Sequence, residues 1–391
     1  MDDANWFERN PKKTIVSIVL ILSLVLLIAA ETYLAHLSQF AYDEADGGLR
    51  AIRLKERFPN SRRVKYPDNA YLSKTDSLLQ KEYIVEVDDD GFIMPSGIHA
   101  NPDLKLLFLG GSTTECLFVD PELRFTYLVG RLIEDSRRIK VNSYNGGVSG
   151  NNTLHSVNAL LNKGAPISPN FVLLMHNIND ITVLLHHDMY WNRAPLKSPI
   201  ISIESSRFSV HLVARFIKEN TFPHVYRAVR PYLNLGRIFI ELDNWLFGDP
   251  RAPTELKPRS DSVDVNALAG RYRTALRLFV VVSRVLGTTP VLMTQPSRFV
   301  DRDNGVPPGA IDEIEHRFSI SYEQFKALHE TFNDVIREVA AEEKVLLIDL
   351  AEILPQQRLY MYDLVHFNDV GSKLVAESVA KALLQHLPVR H

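Results

Sequence analysis

From Leu104 onward, short runs rich in Val, Ile and Leu alternate with longer amphipathic segments, and this rhythm restricts the chain more than any other feature. The candidate strands are Lys105–Leu109, Lys140–Tyr144, Phe171–Met175, Pro290–Thr294 and Lys344–Asp349. The candidate helices are Phe125–Arg137, Asn152–Asn162, Val263–Leu286, Ser321–Glu343 and Gly371–Leu387. Apolar strands joined through helices belong to a parallel sheet covered on both faces. The expected fold is α/β: a doubly wound, flavodoxin-like parallel sheet of about five strands with helices on both faces and ligands at the C-terminal strand ends.

One interval breaks the rhythm. Residues from about 186 to 262 are rich in aromatic residues, from Tyr190 and Trp191 to Trp245 and Phe247, and carry seven prolines. Such an insertion after the third strand is either a lid or wall of a cleft, or a subdomain packed on itself.

Before the domain, Thr14 to Ala30 is an unbroken apolar run. As a helix it reaches roughly 25 Å, and Tyr33, Leu34 and Ala35 extend it toward the thickness of a bilayer core. Arg9, Lys12 and Lys13 precede it, and no Lys or Arg follows until Arg50. That asymmetry puts the N-terminus in the cytoplasm and the rest outside it. A cleaved signal peptide is the alternative, with "IAA" as the cleavage site. The expected organisation is a cytoplasmic N-terminus (1–13), a transmembrane anchor (14–35), a juxtamembrane connector with a small β element at Tyr83–Val87 (36–103), and the α/β domain (104–391). The connector turns from acidic to basic between Asp43 and Lys65, which suits either contact with lipid phosphates or a solvated helix face.

Charge and cysteine content remove several classes. A net charge of -3 gives no general attraction to nucleic acid. The lone cysteine, Cys116, excludes an internal disulfide framework and a Cys-based zinc site, leaving a catalytic thiol or a buried small residue. The acidic stretch before Gly91 fails the calcium-loop pattern, and the adjacent histidines of "LHHD" do not readily share one ion. No metal or organic cofactor is expected.

Four segments carry candidate chemistry. "FLGGSTTE" puts Ser112 directly after the first strand of the domain, behind Gly110 and Gly111. It lacks the Gly-Lys-Ser/Thr ending of a P-loop. "NGGVSGNNT" follows the second strand and offers the backbone of Gly150; read otherwise, it is a helix start capped by Asn151 or Asn152. "MHNIND" follows the third, where the side-chain amide of Asn179 can donate to a developing oxyanion without a charge to desolvate. His176 beside it is a candidate base or, the preferred reading at the end of a buried strand, a packed, hydrogen-bonded residue. Before the last helix, "YDLVHF" spaces Asp363 and His366 three apart, so the carboxylate can fix the imidazole tautomer.

This series resembles the SGNH/GDSL hydrolase family, whose four blocks carry Ser, Gly, Asn and a terminal Asp-x-x-His. Here they correspond to Ser112, Gly150, Asn179, and Asp363 with His366, over about Lys105 to Leu387. Gly111 stands where the first block usually has Asp, and Asn177 where the third usually has Gly. The resemblance implies a catalytic triad of Ser112, His366 and Asp363, with an oxyanion site from the N–H groups of Ser112 and Gly150 and the Asn179 amide. It implies ester chemistry; joined to the N-terminal apolar run, the expectation is a membrane-anchored serine esterase acting on acyl, above all O-acetyl, esters of envelope carbohydrate or lipid. The same residues suit an O-acyltransferase of polysaccharide, and a non-catalytic envelope scaffold is the third reading.

Overall fold

The computed structural model describes residues 10, 12–23, 25, 49–52, 54–191, 200–203, 263–302 and 305–387. Contacts divide the chain into two units, Ile52–Ile201 with Pro253–His391, and Met1–Ala51 with Ser202–Ala252. In the second of these, residues 12–23 are helical with exposed apolar side chains, Ile15 to 62% and Leu20 to 65%. Among the described residues no helix is long and apolar enough to cross a membrane; half of the expected span 14–35 lies outside them. Most of the aromatic interval lies outside them too.

The larger unit is built on a sheet. After an antiparallel ribbon of β1 (Arg62–Lys65) and β2 (Tyr83–Glu86) come β3 (Leu104–Gly110), β4 (Val141–Asn145), β5 (Phe171–Met175), β6 (Thr289–Met293) and β7 (Leu346–Ile348). The last five form one parallel sheet in the order β4-β3-β5-β6-β7. The chain runs outward from β3 to β4, then crosses back to β5 and continues the other way. The point where the direction reverses, at the C-terminal ends of β3 and β5, is where open α/β sheets bind ligands.

Strand period accounts for the layering. Leu107, Leu109, Val172, Leu174 and Leu292 face one core, with helices α3 (Thr153–Ala159), α4 (Ile178–His187), α5 (Val265–Val285), α6 (Ala310–Phe318) and α7 (Tyr322–Glu343). Their neighbours Leu106, Phe108, Leu173, Met175, Val291 and Met293 face the other, with α2 (Phe125–Arg137) and α8 (Asp369–His386). Successive side chains of a strand point to opposite faces, so runs apolar at every position serve both layers.

Differences from the sequence reading have local causes. The second candidate helix stops being α-helical at Ala159, and Leu160–Gly164 widens into a π turn. Pro166 follows, and it has no N–H to give Asn162. Besides several single turns, two longer helices were not foreseen: α6, and α4, which starts at once after the third strand of the sheet. Residues 54–103 pack within the larger unit. Arg124 of the α2 entry is buried and donates to the carbonyls of Ile84 and Met94, while Arg298, also buried, forks onto Asp76 at 2.8 Å through each nitrogen.

Candidate active site

Ser112 is the first residue of α1 (Ser112–Glu115), which begins where β3 ends. As the first residue of a helix, it has a backbone N–H with no partner inside that helix. The turn into it is tight. A side chain on Gly111 would stand 2.3 Å from Nδ2 of Asn179, so glycine here lets that amide lie against the turn.

His366 reaches Ser112 from a loop before α8. Its Nε2 lies 2.7 Å from Ser112 Oγ, and its Nδ1 lies 2.7 Å from Asp363 Oδ2. A carboxylate only accepts, so Nδ1 carries the hydrogen and Nε2 is left to accept from the hydroxyl. The other carboxylate oxygen, Oδ1, accepts the N–H groups of Val365 (3.0 Å) and His366 (2.8 Å), which closes the three-residue spacing into a turn. Further bonds hold the loop: Tyr362 N donates to His366 O, while Arg298 donates from its backbone N to Leu364 O and from Nη1 to Met361 O. The Tyr362 ring stacks on the imidazole, with centroids 5.6 Å apart and planes 6° apart.

The His366 and Asp363 side chains are 20% and 18% exposed, so the pair is largely covered but open on one side. Burial, the largest single influence on His366, favours the neutral ring; the charge and hydrogen bond of Asp363 together outweigh it and raise the pKa above its ordinary value. For Asp363, burial works upward, and the His366 charge with three hydrogen bonds overcomes it and holds the carboxyl below its ordinary value.

Asn179 is the second residue of α4. Its Nδ2 donates to the carbonyl of Asn151 at 2.8 Å while lying against Gly111, and its second amide hydrogen remains for another acceptor. Gly150 sits in the turn after β4 with φ +75°, the left-handed region that favours glycine. No acceptor takes its N–H among the described residues. The structure thus joins Ser112, His366 and Asp363 by hydrogen bonds, places Asn179 against the serine turn, and leaves Gly150 without a direct bond to any of them.

Residues that sequence reasoning passed over support this arrangement. Gln295, just past the end of β6, donates from Nε2 to Thr113 Oγ1 (2.7 Å) and accepts Ile178 N (2.9 Å), tying the serine turn to the start of α4. Its place at the C-terminal end of a sheet strand was the available signal. Asn177, the departure in the third block, directs its amide away from the serine, onto His329 O and Asn333 Oδ1 of α7. Cys116 is buried, and burial pushes its thiol up to about 12. His176 is buried and bonded to Ser156 Oγ at 2.7 Å. Among the described residues no group of three or more His, Cys, Asp or Glu is placed to hold a metal ion.

No protein-family model and no curated protein matches the sequence. Similar solved structures include an acetylxylan esterase from Geobacillus stearothermophilus, at 15% identity, 72% of this chain and 95% of that chain, TM-score 0.40. An alpha/beta hydrolase enzyme from the metagenome of Lake Arreo, Spain, matches at 15% identity, 72% and 95% coverage, TM-score 0.40. A GDSL-like protein from Parabacteroides merdae matches at 14% identity, 73% and 97% coverage, TM-score 0.41. With TM-scores below 0.5, the reading of the site rests on its own geometry.

Proposed function

We propose that this chain is a serine ester hydrolase of the SGNH/GDSL type, with Ser112, His366 and Asp363 as its triad. The observation that carries the reading is the continuous hydrogen-bonded line from Ser112 Oγ through both ring nitrogens to Asp363, 2.7 Å at each step, at the switch point of the sheet. His366 Nε2 takes the hydroxyl proton as Ser112 Oγ bonds to the acyl carbon. The carbonyl oxygen becomes an oxyanion, held by the N–H groups of Ser112 and Gly150 and the free amide hydrogen of Asn179. As the ester C–O bond breaks, His366 returns the proton to the leaving alcohol. Water then attacks the acyl-serine, giving its proton to His366, and the acid departs as Oγ recovers that proton.

The substrate class we propose is acyl esters, O-acetyl esters foremost, of envelope carbohydrate or lipid. Its support is the apolar run at 14–30 and the Lys/Arg asymmetry around it, which suit a membrane anchor with the enzyme outside the cytoplasm.

The test is to treat the full-length protein with a fluorophosphonate probe beside Ser112→Ala and His366→Ala. Labelling of the parent that disappears in both variants is the expected result; a folded parent that takes no label overturns it. Incubating labelling-competent protein with an acetylated donor and a polysaccharide then separates release of free acetate from acetyl transfer to sugar hydroxyls.

A further inference from the structure

Glu115 closes the serine turn and has no part in the scheme above. Its side chain is fully buried, a rare state for a carboxylate without a partner. One oxygen meets Nη2 of Arg57, and the other accepts both the N–H of Ser149, at 2.9 Å, and its hydroxyl. Ser149 and Gly150 are the central residues of a turn closed by Asn151 N onto Val148 O at 2.9 Å. Gly150, at φ +75°, takes the place where a type II turn needs glycine. The Gly150 N–H lies in the peptide plane it shares with the Ser149 carbonyl, so whatever orients Ser149 orients that N–H. A second tie comes from the same stretch of chain: Asn151 Nδ2 donates to Lys55 O at 3.3 Å, and Asn151 O accepts from Asn179.

We propose that Arg57 and Glu115 form a latch that holds the Gly150 N–H in register with Ser112 and Asn179, making both positioning residues for oxyanion stabilisation. The inference rests on the ester-hydrolase reading. Glu115 lies on the serine's own turn, so gripping Ser149 sets the distance between two of the donors directly. Arg57, from the chain ahead of the sheet domain, pairs with that carboxylate and aims it. Geometry errors in such donors lower transition-state stabilisation more than substrate binding.

The experiment measures kcat and KM of the full-length protein on p-nitrophenyl acetate, with thermal melts, for Glu115→Gln, Arg57→Ala, Arg57→Lys and Ser149→Ala. The expected result is a kcat loss of about tenfold to a hundredfold in Glu115→Gln and Arg57→Ala, with KM within about threefold and partial recovery in Arg57→Lys. Ser149→Ala, which keeps its N–H, loses less. A folded Glu115→Gln with parental kcat, or a change confined to KM, overturns the latch. If Glu115→Gln does not fold, Arg57→Ala against Arg57→Lys decides by the same criteria. A parent inert toward both ester and fluorophosphonate overturns the serine reading and the latch together; an active parent with indifferent variants overturns the latch only.

Discussion

Two clusters of serine, histidine and aspartate stand among the described residues, and they are built differently. In one, Ser112, His366 and Asp363 are linked at 2.7 Å and 2.7 Å with side chains partly open to solvent. In the other, Ser156 meets His176 at 2.7 Å, but the Asp180 carboxylate stands 3.7 Å from His176 and all three residues are buried. Asp180 is engaged elsewhere, accepting Thr153 N at 3.0 Å and the Tyr190 hydroxyl at 2.6 Å. Burial drives His176 down to about 3, with His155 adding to it, and lifts Asp180 to about 6. His176 is therefore neutral at neutral pH and poorly able to accept a proton. The lesson is that a triad is made by which groups the aspartate is committed to and by access, not by the presence of three residue types. The buried cluster instead ties α3 to α4, through Thr153 and Asp180.

The sharpest way to break this contrast is to delete the two serines. Ser112→Ala is expected to lower kcat by about 10⁴-fold or more, while Ser156→Ala leaves kcat within a few-fold, read as initial rates on a chromogenic ester. Comparable losses in both would erase the distinction. The two aspartates come next. Asp363→Asn is expected to cost about a thousandfold or more. The base form of His366 is lost as pH falls through a pKa raised by Asp363, so the acid limb of kcat/KM lies above roughly 6.5 in the parent. With that charge gone, burial meets less opposition and the limb moves to lower pH. A limb that stays in place would show that another group titrates. Asn179→Ala should cost about a hundredfold in kcat with the limb unmoved, and a change confined to KM would remove Asn179 from the oxyanion site. The smallest rate effect belongs to the buried cluster. There Ser156→Ala leaves His176 Nε2 unpaired and should lower stability by about 1–3 kcal/mol in denaturant melts. Unchanged stability would mean that the bond contributes nothing.

Much of this was legible before any coordinates. Apart from Val141–Asn145, the strands announced a parallel sheet because they show no polar face. The β5 strand falls on Phe171–Met175 and α2 on Phe125–Arg137, as read. Ser112, Asn179 and the Asp363–His366 pair were legible because each sits next to a strand or helix end. Helix α4 was not, since its first turn is polar and Asn177 bonds to α7 instead of capping it. Gln295 and Arg298 were hidden because their partners lie far along the chain, at Thr113 and Asp76. Glu115 was in plain sight within "FLGGSTTE", but nothing local shows that a carboxylate there is buried against Arg57.

The sequence by itself determined the layer architecture and named the candidate groups of the site, because hydrophobic period and residue chemistry are local properties. Tertiary structure decided which histidine meets which serine, which aspartate is free to orient it, and which charge is sealed inside. Those outcomes depend on distances between segments up to 254 residues apart and on how much water each group keeps. Only the packed sheet, which brings β3, β5 and the loop before α8 to one edge, sets either quantity.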